Sequence, residues 1–455
     1  MSEPRRIGIV GLGINNRPLV PFFLAEGEAL AVFDQRSPQA IEEDLAALGA
    51  RGDVRVYGGP GYLEALATAP LRAAYITPGM RKFGPAFDAL RARGVHVTCE
   101  TDLFLSRCPA PVIGITGSAG KTTTTTLVGE MLRRDGRRPV YVGGNIGKPL
   151  LPELAQISAD SWVVMELSSF QLDLVEHSPA GAALLNIRPN HLDIHRDFED
   201  YQRAKANILR FQRAEDWAVL GYDDPVVRQV SQGMKARQVY FSLEAKIPRG
   251  ACLEGEMLVW RDQSGSQPVV GADALRLVGR HNVANALAAL AMAVMAGARW
   301  EAIREALTHF AGVPHRLEMV AEVRGIQYVN DSIATAPDRT MAALEAITRP
   351  IVLLLGGYDK HLDYEVLGPA LRASSVRLVV VSGATREKMR DVVQRFTAIP
   401  CIEANNFDEA VGRAVEAARP GDVVLLSPAA ASYDEFVNFE ERGRRFRELV
   451  AMLTA

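Results

Sequence analysis

The segment Val112-Ile113-Gly114-Ile115-Thr116, followed at once by Gly117-Ser118-Ala119-Gly120-Lys121-Thr122, leaves this chain few folds to choose from. The β-branched run reads as a strand, the glycines turn the chain sharply, and a helix is expected through Thr122–Arg133. A turn of this kind aims several backbone N–H groups at a phosphate, and the helix adds its positive N-terminal dipole. Lys121 would neutralise β- and γ-phosphate charge, and the Thr122 hydroxyl would bind Mg²⁺. The loop is shorter than the common G-x-x-x-x-G-K-[ST] form, because Ile115 stands where its first glycine would be. The bland alternative is a plain strand–helix turn with no ligand.

The alternation of strand and helix runs along the whole chain. Strands are expected at 6–13, 29–36, 54–59, 73–79 and 95–100, then at 112–116, 140–144, 162–167 and 181–187. The stretch 239–278 reads as an irregular β excursion before one long buried helix, HNVANALAALAMAVMAGA. After Gly312-Val313-Pro314 the alternation restarts with IQYVND, IVLLLGG, VRLVVVS and DVVLLSP. Strands alternating with helices indicate parallel sheets with covered faces. The fold class expected is α/β in three domains: a Rossmann-like parallel sheet over 1–108, a P-loop NTPase-like domain over 109–312 and a second Rossmann-like domain over 313–455.

Composition narrows the classes of partner. Apolar residues make up 48% and charged residues 23%, and the net charge is −3, so disorder is excluded and nothing calls for nucleic acid or an anionic membrane. The four cysteines form no CxxC pair, which fits a reducing cytoplasm. The longest apolar stretch, Ala286 to Ala298, falls short of the roughly 20 residues that span a bilayer. The start of the chain lacks the apolar core of a signal peptide.

Other candidate groups fall at strand ends, where ligands gather in open α/β sheets. Gly11-Leu12-Gly13 with Asp34 is a partial dinucleotide fingerprint whose third glycine position is Asn16. It serves a nucleotide or simply a turn, and Thr77-Pro78-Gly79 would line the same crevice. Glu166, ending a strand expected beside the phosphate-loop strand, can hold Mg²⁺ directly or through water. Alone it would be a solvated strand-end carboxylate. The spacing His191-x3-His195 resembles a zinc pair, but no HExxH glutamate or nearby cysteine supports zinc. Lys205, in the polar amphipathic stretch DYQRAKANILR, is a surface lysine by default. Asn282 would cap the long helix, and Asn285 is a poor helix former one turn further in. His315-Arg316 with Asn330-Asp331-Ser332, Gly356–Lys360 and Ser427–Ser432 mark strand ends of the last domain.

Taken together, these motifs resemble the ATP-dependent Mur ligases of bacterial cell-wall synthesis. The resemblance covers the whole chain and rests on GITGSAGKTTTT, GGNIG, ELSSFQL, the NHLDIH block, YQRAK, GRHNVANALAA, PHRLE, LLLGGYDK and SPAAASYDEFVNFEERG. It implies that Gly117, Ser118, Ala119, Gly120, Lys121, Thr122 and Thr123 hold the ATP phosphates. Asn282, Asn285, Arg316 and Asp331 would embrace the nucleotide from other elements. Thr122 and Glu166 would bind one Mg²⁺ and His191 a second. Lys205 matches the family lysine that is carbamylated, which turns a cation into a metal-binding carboxylate. Asp34, Arg36 and Gly79 would meet a uridine diphosphate. Asn145, Ser168 and Gln171 would contact the acyl end of that substrate. Thr335, Lys360, Ser432 and Phe439 would seat an incoming amino acid. Lys121, His191, Lys205 and Lys360 form the implied catalytic set.

The activity implied is addition of D-glutamate to UDP-N-acetylmuramoyl-L-alanine through an acyl phosphate, by a cytoplasmic monomer whose partners are small molecules. Phosphorylation would give the carboxylate a good leaving group, and the amine of the amino acid would then attack. One departure bears on the acceptor. The family reads Asp-Ser-Lys-Ala-Thr-Asn where this chain has Asp331-Ser332-Ile333-Ala334-Thr335-Ala336. L-glutamate or another acidic acceptor is therefore the first alternative. A folate-extending ligase is the second, and a non-catalytic ATP switch the third. A nicotinamide dehydrogenase would leave the phosphate loop idle.

Overall fold

A computed structural model describes residues 5–145, 149–190, 194–277, 279–360 and 362–453. The fold is α/β with three sheets, and the chain divides into two compact units between Phe310 and Ala311. The first unit holds two of the sheets. One has five parallel strands in the spatial order Val54–Gly58, Leu30–Asp34, Arg6–Val10, Leu71–Ile76 and His96–Thr98. Runs such as RIGIV and LAVFD are buried at every position, as helix-covered parallel strands require.

Strand order reverses between Arg6–Val10 and Leu71–Ile76, and a reversal of this kind opens a crevice at the strand carboxyl ends. Gly11 and Thr77 meet in it. At Gly11 φ is +77°, and a Cβ would lie 2.6 Å from Thr77 Cγ2. Asn16, fully buried, occupies the third glycine position. Its Nδ2 donates to the carbonyls of Val10 at 3.1 Å, Gly11 at 3.0 Å and Tyr75 at 3.1 Å. An amide that satisfies three strand-end carbonyls closes this turn where the fingerprint would have used a small residue.

The second sheet has nine strands, with Val112–Thr116 between Gly181–Leu184 and Trp162–Glu166. The stretch expected to be irregular is instead regular. Arg237–Ser242 continues the parallel sheet, and Gly250–Glu254, Met257–Asp262 and Gly265–Gly271 form an antiparallel edge. Cross-strand pairing across short turns supplies what the weak apolar pattern did not announce. The strand Trp217–Gly221 had no expectation attached to it. The long helix runs over Arg280–Met295, buried from Asn285 to Ala293, and packs on the phosphate-loop helix Lys121–Asp135.

The second unit carries six strands in the order Glu318–Val323, Ile326–Asn330, Val423–Leu426, Ile351–Gly356, Val376–Ser382 and Cys401–Glu403. Its first strand is antiparallel to the next across Arg324-Gly325, both at positive φ, the geometry of a tight hairpin. No described helix is long and apolar enough to cross a membrane.

Candidate active site

The phosphate loop leaves its strand at Gly117 and enters the helix at Lys121. Gly120 sits at φ +83°, and a Cβ there would collide with Asn285 Oδ1. Only glycine meets both demands. The loop is pinned from the strand end that follows Gly181–Leu184. Ser118 N–H donates to Asn186 O at 2.9 Å, and Ala119 N–H to Asn186 Oδ1 at 2.8 Å. Arg188 N–H donates to Ser118 Oγ at 2.8 Å, and the Tyr201 hydroxyl lies 2.9 Å from that oxygen. The Ser118 and Ala119 amides thus serve the loop's own shape rather than pointing inward. The helix begins at Lys121, so the loop runs into the positive end of its dipole. Lys121 Nζ folds over the loop, donating to Gly117 O at 2.9 Å and Ser118 O at 3.3 Å.

Beside the loop stands a buried carboxylate. Glu166 ends the neighbouring strand and is 3% exposed. Its Oε2 accepts from Thr122 Oγ1 at 2.7 Å, and its Oε1 from Asn145 Nδ2 at 2.9 Å. Three oxygen-bearing side chains therefore converge, which suits a hard cation that keeps few protein ligands and several waters or phosphates.

Lys205 is not a surface residue. It is 1% exposed, with Nζ donating to Gly117 O at 2.9 Å and Thr116 Oγ1 at 3.3 Å. The ammonium also lies 4.8 Å from the Tyr201 ring centroid. The reason is helical register. In the helix Phe198–Arg210, Tyr201, Ala204, Lys205 and Ile208 form one buried stripe. Burial depresses the Lys205 pKa well below the ordinary lysine value; the charge of Lys121 adds to this and Glu166 opposes it. His195 is buried nearby, with Nε2 3.0 Å from Ser169 Oγ and its ring stacked on Phe170. His191 lies outside the described residues. Among those described, no three His, Cys, Asp or Glu side chains gather as a metal cluster.

Several expected residues turn out to carry local structure. The long helix starts at Arg280 after Gly279, so Asn282 is in its first turn rather than its cap, and it accepts from Asn285 Nδ2 at 3.2 Å. Ser168 and Gln171 form a reciprocal capping box on the short helix Ser169–Leu172. Asp34 and Arg36 hold each other at 3.0 Å, and the Leu12 amide also donates to Asp34. Burial opposes ionisation of Asp34, but Arg36 and the two amides outweigh it and keep its pKa below the usual range. Gly79 is exposed at the same crevice. Lys82, which drew no attention in the sequence, donates to Phe170 O at 2.9 Å and pairs with Asp173 at 3.3 Å. It joins the N-terminal sheet to the Ser168 turn.

In the second unit, Asp331 is buried, accepting from Ser427 Oγ at 2.8 Å and Leu317 N–H at 3.1 Å. Burial pushes its carboxyl up to about 6 against those bonds. Arg316 is exposed in the preceding turn, Thr335 is half-buried and Ser432 is buried. Lys360 Nζ lies 5.7 Å over the Tyr433 ring. The Phe439 carbonyl accepts from Ser332 Oγ at 2.8 Å. Sequence reasoning missed Arg442, 2% exposed, which donates to Ser332 Oγ and O and to the carbonyls of Ala430 and Ala431. It ties the Asp331–Thr335 segment to the Ser427–Ser432 segment. A lone arginine in an amphipathic helix gives no signal for this.

Fold and loop together define a phosphate-loop α/β protein with an added α/β unit. Residues 115–293 match the Mur ligase middle domain, and residues 315–430 match the Mur ligase glutamate ligase domain. The chain is 46% identical over 453 residues to a UDP-N-acetylmuramoylalanine–D-glutamate ligase of Symbiobacterium thermophilum, covering 99% of this chain and 98% of the relative. It is 40% identical over 458 residues to the protein of that name from Acetivibrio thermocellus, covering 99% and 97%. Among solved structures it resembles the UDP-N-acetylmuramate–alanine ligase of Thermotoga maritima, with TM-score 0.53, 20% identity and coverage of 99% and 100%. It also resembles E. coli FolC in complex with ADP, with TM-score 0.53 and 19% identity over 78% of this chain and 94% of that one. The chain belongs to the Mur ligase family.

Proposed function

We propose that this protein is an ATP-dependent ligase that joins D-glutamate to UDP-N-acetylmuramoyl-L-alanine in the making of peptidoglycan precursors. The observation that carries the chemistry is the meeting of Thr122 and Glu166 at the foot of a phosphate loop whose Gly117 carbonyl receives the buried Lys205. The substrates come from the name borne by relatives at 40–46% identity over nearly the whole chain. The four cysteines are free, which supports a reducing cytoplasm.

Residues 1–108 would bind the uridine diphosphate, 109–312 the ATP and 313–455 the amino acid. The loop from Gly117 to Thr123, with Lys121 and the positive end of the helix dipole, would hold the ATP phosphates, with Asn282, Asn285, Arg316 and Asp331 on the rest of the nucleotide. Thr122, Glu166 and, with a carbamate, Lys205 would hold Mg²⁺, and His191 a second ion. These ions would neutralise the charge that builds up on the transferred phosphoryl group. Lys205 is suited to carbamylation because burial favours its neutral amine over the cation. The nitrogen lone pair forms a bond to the carbon of CO₂, a C=O π pair moves onto oxygen and one N–H proton leaves to water, so a neutral amine becomes an anionic carbamate. Asn145, Ser168 and Gln171 would orient the acyl carboxylate toward the γ-phosphorus, while Asp34, Arg36 and Gly79 hold the distant uridine diphosphate. The carboxylate oxygen bonds to phosphorus as ADP departs. The neutral glutamate amine, placed by Thr335, Lys360, Ser432 and Phe439, then bonds to the acyl carbon, phosphate leaves with the C–O bond pair, and the nitrogen gives up one proton to solvent.

Phosphate release by purified protein with ATP, Mg²⁺ and UDP-N-acetylmuramoyl-L-alanine tests this reading. Release is expected with D-glutamate and not with L-glutamate. Release with neither acceptor would overturn it.

A further inference from the structure

The loop 77–84 touches both sheets of the first unit. At its start Thr77 packs on Gly11 in the crevice, and Gly79 is exposed there. Further along the same loop, Lys82 reaches across to the second sheet. Its side chain is buried, and Nζ donates to Phe170 O at 2.9 Å and pairs with Asp173 at 3.3 Å. Arg91 Nη2 donates to Lys82 O at 2.8 Å, which ties the loop to the helix Pro85–Ala92 on its own side. Phe83 makes a second crossing, with the Arg196 guanidinium 5.4 Å from its ring centroid. The helix that Lys82 grips, Ser169–Leu172, has four residues, too few to hold a direction by itself. Donors from other elements set it. Phe170 O accepts from Lys82, Gln171 O from the Cys99 thiol at 3.4 Å, and Leu172 O from Asn207 Nδ2 at 2.9 Å. Of these donors, Lys82 is the one carried by the crevice loop. A buried ammonium is costly to desolvate, and an apolar side chain of similar length would fill the space at less cost. What the charge adds is direction, because it must meet one carbonyl and one carboxylate together.

We propose that Lys82 is a positioning residue: it fixes the span between the uridine diphosphate crevice and the Ser168–Gln171 turn, so that binding of the distant uridine diphosphate places the acyl carboxylate for phosphorylation. It acts through Phe170 and Asp173 rather than on the substrate. Binding energy from a remote group raises kcat only when a rigid connection carries it to the reacting atoms. This rests on the UDP-sugar donor proposed above.

Turnover by the full-length enzyme makes the test, with UDP-N-acetylmuramoyl-L-alanine and with the same donor shortened to its sugar 1-phosphate. Wild type, Lys82→Met and Asp173→Asn are compared. In the wild type kcat is expected to be higher with the full donor. In Lys82→Met that advantage should shrink about tenfold or more, because kcat falls with the full donor and stays within about twofold with the shortened one. KM for ATP and the Kd of UDP should stay within about twofold. Asp173→Asn keeps the shape and removes the charge, so a smaller loss of the same pattern is expected, and this variant decides the matter where Lys82→Met does not fold. Equal loss with both donors would make Lys82 a structural residue and overturn the assignment, as would an undiminished advantage of the full donor. A weaker Kd for UDP would put Lys82 in the crevice itself and overturn it too. A wild type that ligates both donors at the same rate overturns this inference and leaves the ligation standing. A wild type that turns over neither donor overturns the proposed function and this inference with it.

Discussion

Lys205 Nζ donates to the carbonyl oxygen of Gly117 at 2.9 Å, which sets a buried lysine directly against the first residue of the phosphate loop. A lysine so placed costs stability as a cation. Its folded pKa is depressed, so between that value and the unfolded value near 10.4 the unfolded chain holds the extra proton. Stability of the unmodified protein therefore rises with pH across that window. Lys205→Met should remove the cost, raising Tm at pH 7 by about 2–4 °C while ligase activity falls at least about a hundredfold. Lys205→Ala should be partly rescued by short carboxylic acids that replace the carbamate oxygens. Full activity of either variant without rescue would reduce Lys205 to a structural residue.

Glu166 and Thr122 share one hydrogen bond and one proposed ion. Glu166→Gln keeps the shape and removes the charge, so the Mg²⁺ concentration for half-maximal rate should rise at least about tenfold, with little change in Tm. Chelation with EDTA should abolish turnover in the wild type and be reversed by Mg²⁺. An unchanged Mg²⁺ requirement in Glu166→Gln would remove this carboxylate from the metal site.

Glu100 begins the helix Glu100–Arg107, and its Oε1 is buried with no hydrogen-bond partner among the described residues. Burial pushes its carboxyl up to about 7, with the Thr101 hydroxyl and the Leu151 backbone pulling partly back. The folded state therefore binds more protons than the unfolded one between pH 4.5 and about 7, and stability falls as pH rises through that range. Above it the ionised group costs roughly 3 kcal/mol. Glu100→Gln should match the wild type in Tm at pH 5 and exceed it at pH 8. Equal Tm values at pH 8 would contradict this.

Arg442 is charged and buried, pulled down to about 10 by desolvation, and bonded to four acceptors. Arg442→Met leaves Ser332, Ala430 and Ala431 with unmet acceptors, so a loss of about 3–5 kcal/mol is expected, read from urea unfolding. Limited proteolysis should cut first at the Ser332 or Ala430 segments. A loss below about 1 kcal/mol would mean that water replaces the guanidinium.

Much of the framework was legible because it is written locally. The strand Val112–Thr116, the glycine turn and the helix after it follow from neighbouring residues, as does the burial of RIGIV and LAVFD. The antiparallel edge from Gly250 to Gly271 was not legible, because its short strands gain stability from cross-strand pairs rather than from their own pattern. Lys205 lay between the two cases. Its spacing from Tyr201, Ala204 and Ile208 placed it on the apolar stripe, but a lysine in a polar helix reads as solvated until something covers it.

Sequence alone determined that this chain would form parallel α/β sheets, where a phosphate loop would fall and which family it resembles, since propensity, turn chemistry and motif spacing act over a few residues. Only the tertiary structure decided that Ser118 and Ala119 spend their amides on Asn186, that Asn16 closes the first turn, and that Lys82 reaches across to Phe170. Hydrogen bonds and electric fields act between groups brought close by the fold. Partners such as Lys205 and Gly117, 88 positions apart in the chain, acquire their chemistry only when the fold removes the water between them.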